Sequence, residues 1–176
     1  QSQALRVCNL EDGDARGIYK IVNLDMRVYE RLKMDVHAED IDLQHVNDPG
    51  DMSLFVRIGS DFENNYYEYE IPLTMSDVNG TFNDPEVVWL EENVLDLDLK
   101  SLREAKIERE VSGSSLSDIY QYTQDPRIRV IGNPTLGQVK SVMIGVRNRK
   151  DDGLARCVEV WVNEMRLTGF DERGGF

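Results

Sequence analysis

Along residues 156–169 apolar and polar positions alternate, and partway through the alternation changes phase. Val158, Val160 and Val162 take the even positions. Past Asn163 the apolar residues are Met165 and Leu167, on the odd side with Trp161, while Glu164 and Arg166 fall on the even side. Successive side chains of a strand point to opposite faces, so a change of phase needs a bulge or a passage from one packed environment into another. The pattern predicts a long terminal strand in a two-sheet sandwich.

Earlier stretches follow the same period. Residues 17–23 read as a first strand, preceded by the acidic turn Glu11-Asp12-Gly13-Asp14. In residues 31–39, Leu32, Met34, Val36 and Ala38 share one face, and Lys33, Asp35 and His37 the other. Residues 53–60 alternate through Leu54, Val56 and Ile58, and a loop at 61–65 leads to their antiparallel partner, 66–73, giving a hairpin with one wet face. Strands return at 127–131 and 138–148, with Asp151-Asp152-Gly153 turning into the terminal strand. Val87-Val88-Trp89-Leu90 reads as a short strand or an anchor into the core. Only residues 98–110 carry a helical pattern, with Leu99, Leu102, Ala105 and Ile107 as its apolar positions. Many short strands and one inserted amphipathic helix predict a mainly β chain, a jelly-roll β-sandwich formed as one domain over residues 1–176.

Composition narrows the function classes. Hydrophobic residues are 40 % of the chain and charged residues 30 %, the balance of a globular domain with a real core. Against 33 acidic residues stand 20 basic ones, and the net charge of −13 repels phosphate backbones, which argues against nucleic acid as a partner. Apolar runs such as Val142-Met143-Ile144-Gly145-Val146 are far shorter than the roughly 20 residues of a membrane helix, so no membrane insertion by this chain is expected. The opening Gln1-Ser2-Gln3, without an initiator Met, predicts a piece excised from a larger protein.

Candidate chemistry is sparse. No GxSxG elbow or Walker loop occurs, and Pro134 removes an amide from the Gly132–Gly137 segment, which reads as a turn. The expectation is no enzyme. His37 and His45 match no metal-ligand spacing and read as surface residues. Glu68 and Glu70 share a strand face, where mutual repulsion would raise a pKa, but glutamates alternating beside tyrosines read as a solvated face. Glu11, Asp12 and Asp14 would offer calcium hard oxygen ligands if Asp171 or Glu172 joined them, though their order is not that of an EF-hand. No other cofactor is expected. Tyr67 and Tyr69 fall with Ile71 towards the core, which leaves Tyr66 and Trp89, and Trp161 on the last strand, as candidate sugar-stacking aromatics. Cys8 and Cys157 form a disulfide if the first and last strands are neighbours; two buried free thiols are the alternative.

Two resemblances add to this. Val160-Trp161-Val162-Asn163-Glu164-Met165-Arg166-Leu167 resembles the closing strand of galactose-binding-like jelly rolls and carbohydrate-binding modules, which implies carbohydrate as an alternative ligand. A wider set is similar to the SprA/Sov family. It comprises Phe55-Val56-Arg57-Ile58-Gly59-Ser60-Asp61-Phe62, Asn64-Asn65-Tyr66-Tyr67-Glu68-Tyr69-Glu70-Ile71-Pro72-Leu73, Asn133-Pro134-Thr135-Leu136-Gly137, Gly145-Val146-Arg147-Asn148, the 160–167 segment and the tail Phe170-Asp171-Glu172-Arg173-Gly174-Gly175. Those are very large outer-membrane proteins of the Bacteroidetes, associated with gliding motility and the type IX secretion translocon. This chain lacks the paired runs of about ten residues with an outward apolar band and aromatic girdles that mark a membrane barrel. The resemblance therefore implies a non-catalytic side domain on the periplasmic or extracellular face. Its implied partners are other secretion-system subunits or exported proteins, and no catalytic residues come with it.

Overall fold

A computed structural model describes residues 2–77 and 84–169. One antiparallel sheet has six strands in the order β2 (Ala15–Leu24), β10 (Val139–Asn148), β5 (Met52–Gly59), β6 (Tyr66–Pro72), β9 (Ile128–Ile131) and β8 (Tyr120–Gln121). The opposing layer consists of two three-stranded sheets. In the first, β1 (Gln3–Leu10) and β4 (Val36–Asp40) flank β11 (Arg156–Val162). In the second, β12 (Arg166–Thr168) and β7 (Leu95–Asp98) flank β3 (Arg31–Met34). Leu54, Val56 and Ile58, with Tyr67, Tyr69 and Ile71, meet Val36, Ala38, Val158, Val160 and Val162 in a single buried cluster. Burying these alternating apolar positions holds the layers together.

The two small sheets are one pair of chain segments interrupted at Asp35 and at residues 163–165. Val162 lies opposite Val36, and Arg166 opposite Lys33. Three residues intervene on one strand and two on the other, which is a β-bulge. The Asn163 amide donates to the Asp35 carbonyl at 2.9 Å across it. Beyond the bulge Leu167 faces Leu32, so the odd positions now turn to the core side. The phase change in the sequence is this extra residue.

β1 and β7 are strands that the sequence reading passed over, although Leu5 and Val7, and Leu95 and Leu97, carry the period-2 signal. β7 runs straight into the helix α2 (Leu99–Ser112). The Asp98 carboxylate caps it by accepting from the Lys100 amide at 3.0 Å, and Gly113, with φ of 73°, ends it in the left-handed conformation. Its buried stripe is Leu99, Leu102, Ala105 and Arg109, whereas Ile107 is 58 % exposed. Ile107 was expected in the apolar face. At 100° per residue it points away from Leu102 and Ala105, and Arg109, nearly in line with Leu102, takes the core-facing place.

Arg109 is fully buried, and among the described residues none of its three guanidinium nitrogens has a hydrogen-bond partner. A desolvated cation without partners costs stability. Arg109→Met, similar in reach and without charge, should therefore stabilise the protein by about 1–3 kcal/mol. Equilibrium urea unfolding checks this, and a lower midpoint for the variant would show that the guanidinium is satisfied.

Residues 87–90 form no strand, but Val88 is buried, as the anchor reading expected. Val87 and Val88 close a single helical turn, α1 (Pro85–Val88), whose N-cap Asp84 accepts from the Glu86 amide at 3.0 Å, and Trp89 is its C-cap. No helix among the described residues is long and apolar enough to cross a membrane.

Candidate functional site

The outer face of the six-stranded sheet is built from the polar positions of four strands. Across it Met143, Arg57, Glu68 and Arg129 lie in register, with Gly145, Phe55 and Glu70 in the next row. Period 2 sends Tyr67, Tyr69 and Ile71 to the core and leaves Tyr66, Glu68 and Glu70 on this side. Glycine at 145 lets the Phe55 ring lie across β10, since a Cβ there would run into the ring.

Four arginines close over the two glutamates. Glu68 Oε1 accepts from Arg57 Nε at 2.8 Å and from Arg147 Nη2 at 3.3 Å, while Oε2 accepts from Arg129 Nη1 at 3.0 Å. Glu70 Oε1 accepts from Arg129 Nη1 at 2.7 Å and Arg149 Nη1 at 3.2 Å; its Oε2 meets Arg147 Nη1 at 3.0 Å and the Ser53 hydroxyl. Arg57 also donates to the Phe62 carbonyl at 2.7 Å, which ties the β5–β6 loop to the plate. The guanidinium of Arg57 sits 4.4 Å from the centre of the Tyr66 ring, and that of Arg147 sits 4.4 Å from Phe55. Both glutamate side chains are buried, at 4 % and 7 % exposure, and Arg149 is about half exposed at 48 %.

Electrostatics follow from this arrangement. Burial pushes the Glu70 carboxyl up, but the hydrogen bonds from Ser53 and Arg129 and the charge of Arg147 outweigh it, so the group lies below its ordinary range. Mutual repulsion alone would raise a pKa here, and for Glu70 the arginines reverse it. The solvated face expected of these glutamates is instead buried under arginines. Chemically it is a plate of four arginines paired with two glutamates, on a chain whose overall charge is −13. Beside it opens a depression of about 330 Å³, bordered by Ser53, Gln121, Arg127, Arg129 and Arg149.

The other candidate residues fall elsewhere. Tyr66 is only 6 % exposed beneath Arg57, so it is no open stacking platform. Trp89 is half-buried, with its ring edge towards His37 at 6.4 Å between centroids. The indole of Trp161, also half-buried, lies against His37 at 4.4 Å and donates to Glu159 at 3.2 Å. His37 itself is fully buried, contrary to the surface position expected. The α1 segment folds over the polar face of β4, placing the Val88 carbonyl 2.7 Å from Nδ1, and Glu39 lies 3.1 Å from Nε2. His45 stays partly exposed beside Asp42, at 2.8 Å.

At the β1–β2 turn the Asp12 carboxylate accepts from the Gly153 amide at 2.7 Å. Among the described residues no three His, Cys, Asp or Glu side chains converge as metal ligands, so Glu11, Asp12 and Asp14 form no calcium cage there; Asp171 lies outside the described residues. Cys8 and Cys157 stand on the paired strands β1 and β11, and their sulfurs are joined.

Sequence reasoning singled out Glu68, Glu70 and Tyr66 but missed Ser53, Arg57, Arg129, Arg147 and Arg149. The signal was present: the outward positions of three strands each carry an arginine, which a strand-by-strand reading treats as ordinary surface.

Over residues 1–176 the chain matches the family model SprA_N, described as motility related/secretion protein. No curated protein matches it.

Proposed function

The chain belongs to the SprA_N family of motility related/secretion proteins, and from that premise we propose that it is a non-catalytic jelly-roll domain of an outer-membrane secretion translocon. It serves by contacts with other secretion subunits or with exported chains, on the periplasmic or extracellular side. The observation that carries the reading is the arginine–glutamate plate. Every oxygen of Glu68 and Glu70 is engaged by an arginine or by Ser53, an arrangement that suits carboxylates bracing a surface. Side chains locked by paired charges present a pre-ordered surface, which lowers the entropy cost of docking. Arginine and aromatic residues are also the types most enriched at contact surfaces.

Removal of residues 1–176 from the cell's own protein tests this. Secretion, or gliding where the cell glides, should fall sharply while the remaining chain still reaches the outer membrane. Unchanged secretion would overturn the reading.

A further inference from the structure

The six-stranded sheet has an uncovered edge at β2. Among the described residues this strand pairs with β10 alone, and its other side offers the backbone N–H and C=O groups of a ten-residue strand. Proteins usually blunt such edges with proline, short strands or bulges. β2 contains no proline, and although its pairing with β10 shifts register between Ile21 and Leu24, residues 15–21 keep an unbroken register. It also exposes Tyr19 at 56 % and Ile21 at 71 %.

Side chains on both faces of this edge are prepared for a neighbour. Under the inner face runs a groove of about 410 Å³, lined by Gln3, Ile18, Val22, Val142, Ile144 and Met165. Ile18 and Val22 are only half-buried in it. On the outer face the Tyr19 ring rests on Phe62, with 4.5 Å between centroids, so this aromatic is held in place before anything binds.

We propose that β2 is a strand-addition site that takes an extended segment of another polypeptide, acidic and apolar at alternate positions of its groove-facing side. Backbone pairing supplies affinity, and the side-chain period of 2 supplies the choice of sequence. Arg16, Ile18, Lys20 and Val22 share the inner face, so acidic residues suit the first and third of these positions and apolar residues the second and fourth. Residues 15–24 hold two cations and no acid, although the chain as a whole carries −13. Pairing of two copies of β2 would set like charges together, which favours a different, acidic strand as the occupant.

The test uses this chain and a fluorescein-labelled peptide that reads glutamate, valine, glutamate, valine on one face and isoleucine, threonine on the other. Fluorescence anisotropy should show saturable binding, with hydrogen-exchange protection appearing at amides 15–24. The substitutions Arg16→Glu and Lys20→Glu change exposed side chains, of which Arg16 makes one surface bond to the Cys8 carbonyl. Together they should weaken this peptide at least tenfold and favour its lysine-for-glutamate counterpart. Lys20→Glu alone should act in the same direction, and circular dichroism confirms that both variants fold. Absence of saturable binding, protection centred away from β2, indifference to the charge reversal, or concentration-dependent pairing of the chain through β2 would each overturn the proposal. Loss of secretion on removal of the domain, with secretion intact in the charge-reversed variant, would also overturn it and leave the docking role standing.

Discussion

Replacing Glu68 with alanine is expected to destabilise the protein by about 3–5 kcal/mol, the range for stripping one partner from a buried charge network. Glu68 is the shared acceptor of Arg57, Arg129 and Arg147, whose side chains are 22 %, 20 % and 16 % exposed. Its loss strands three half-desolvated guanidinium groups around one remaining carboxylate. Urea unfolding monitored by tryptophan fluorescence measures the change, and a loss below about 1 kcal/mol would mean that water replaces the carboxylate freely. Acid has the same target through Glu70. Its carboxyl is held below the ordinary 4.5, so its contribution to stability is present above that pH and is lost as pH falls through the folded-state value. In Glu70→Gln this part of the acid slope should vanish, with a lower stability already at neutral pH.

Removing the Cys8–Cys157 disulfide should have an effect of similar size. The bond spans 149 residues, and the chain-entropy argument gives about 5 kcal/mol for closing so long a loop, within an observed range of roughly 0–5. The Cys8→Ala, Cys157→Ala double variant should melt roughly 10 °C lower than the parent. Treatment of the parent with reductant should reproduce most of that drop, because Cys8 lies on the exposed side of β1. Equal melting of the oxidised and reduced forms, with reduction verified by mass, would remove the bond from the account of stability. The physical reason for a large effect is placement. The bond joins β1 to β11, and without it the first strand keeps its ladder, the insertion of Leu5, Val7 and Leu10, and the bonds that Arg16 and Asn148 donate to the Cys8 and Leu10 carbonyls.

These two features show unequal legibility. The hairpin of β5 and β6 could be read from period 2 alone, and so could the assignment of Tyr67, Tyr69 and Ile71 to the core. The bulge was visible as a change of phase after Asn163. Its structural meaning, one extra residue opposite Asp35, required the partner strand. His37 is the clearest departure: alternation put it on the polar face, and that is where it stands. No local pattern announces that α1 will fold across this face and bury it.

What the sequence by itself determined was most of the strands, the inward and outward division of those it read, the longer helix and the family. Those properties depend on residues a few positions apart, where alternation, capping and turn chemistry act. Tertiary structure alone decided which polar faces meet solvent and which charges share a site. Arg57, Glu68, Arg129 and Arg147 are spread over 91 positions of chain and become one network only when β5, β6, β9 and β10 lie in register. Coulomb attraction and desolvation depend on distance through space, and strand pairing sets that distance.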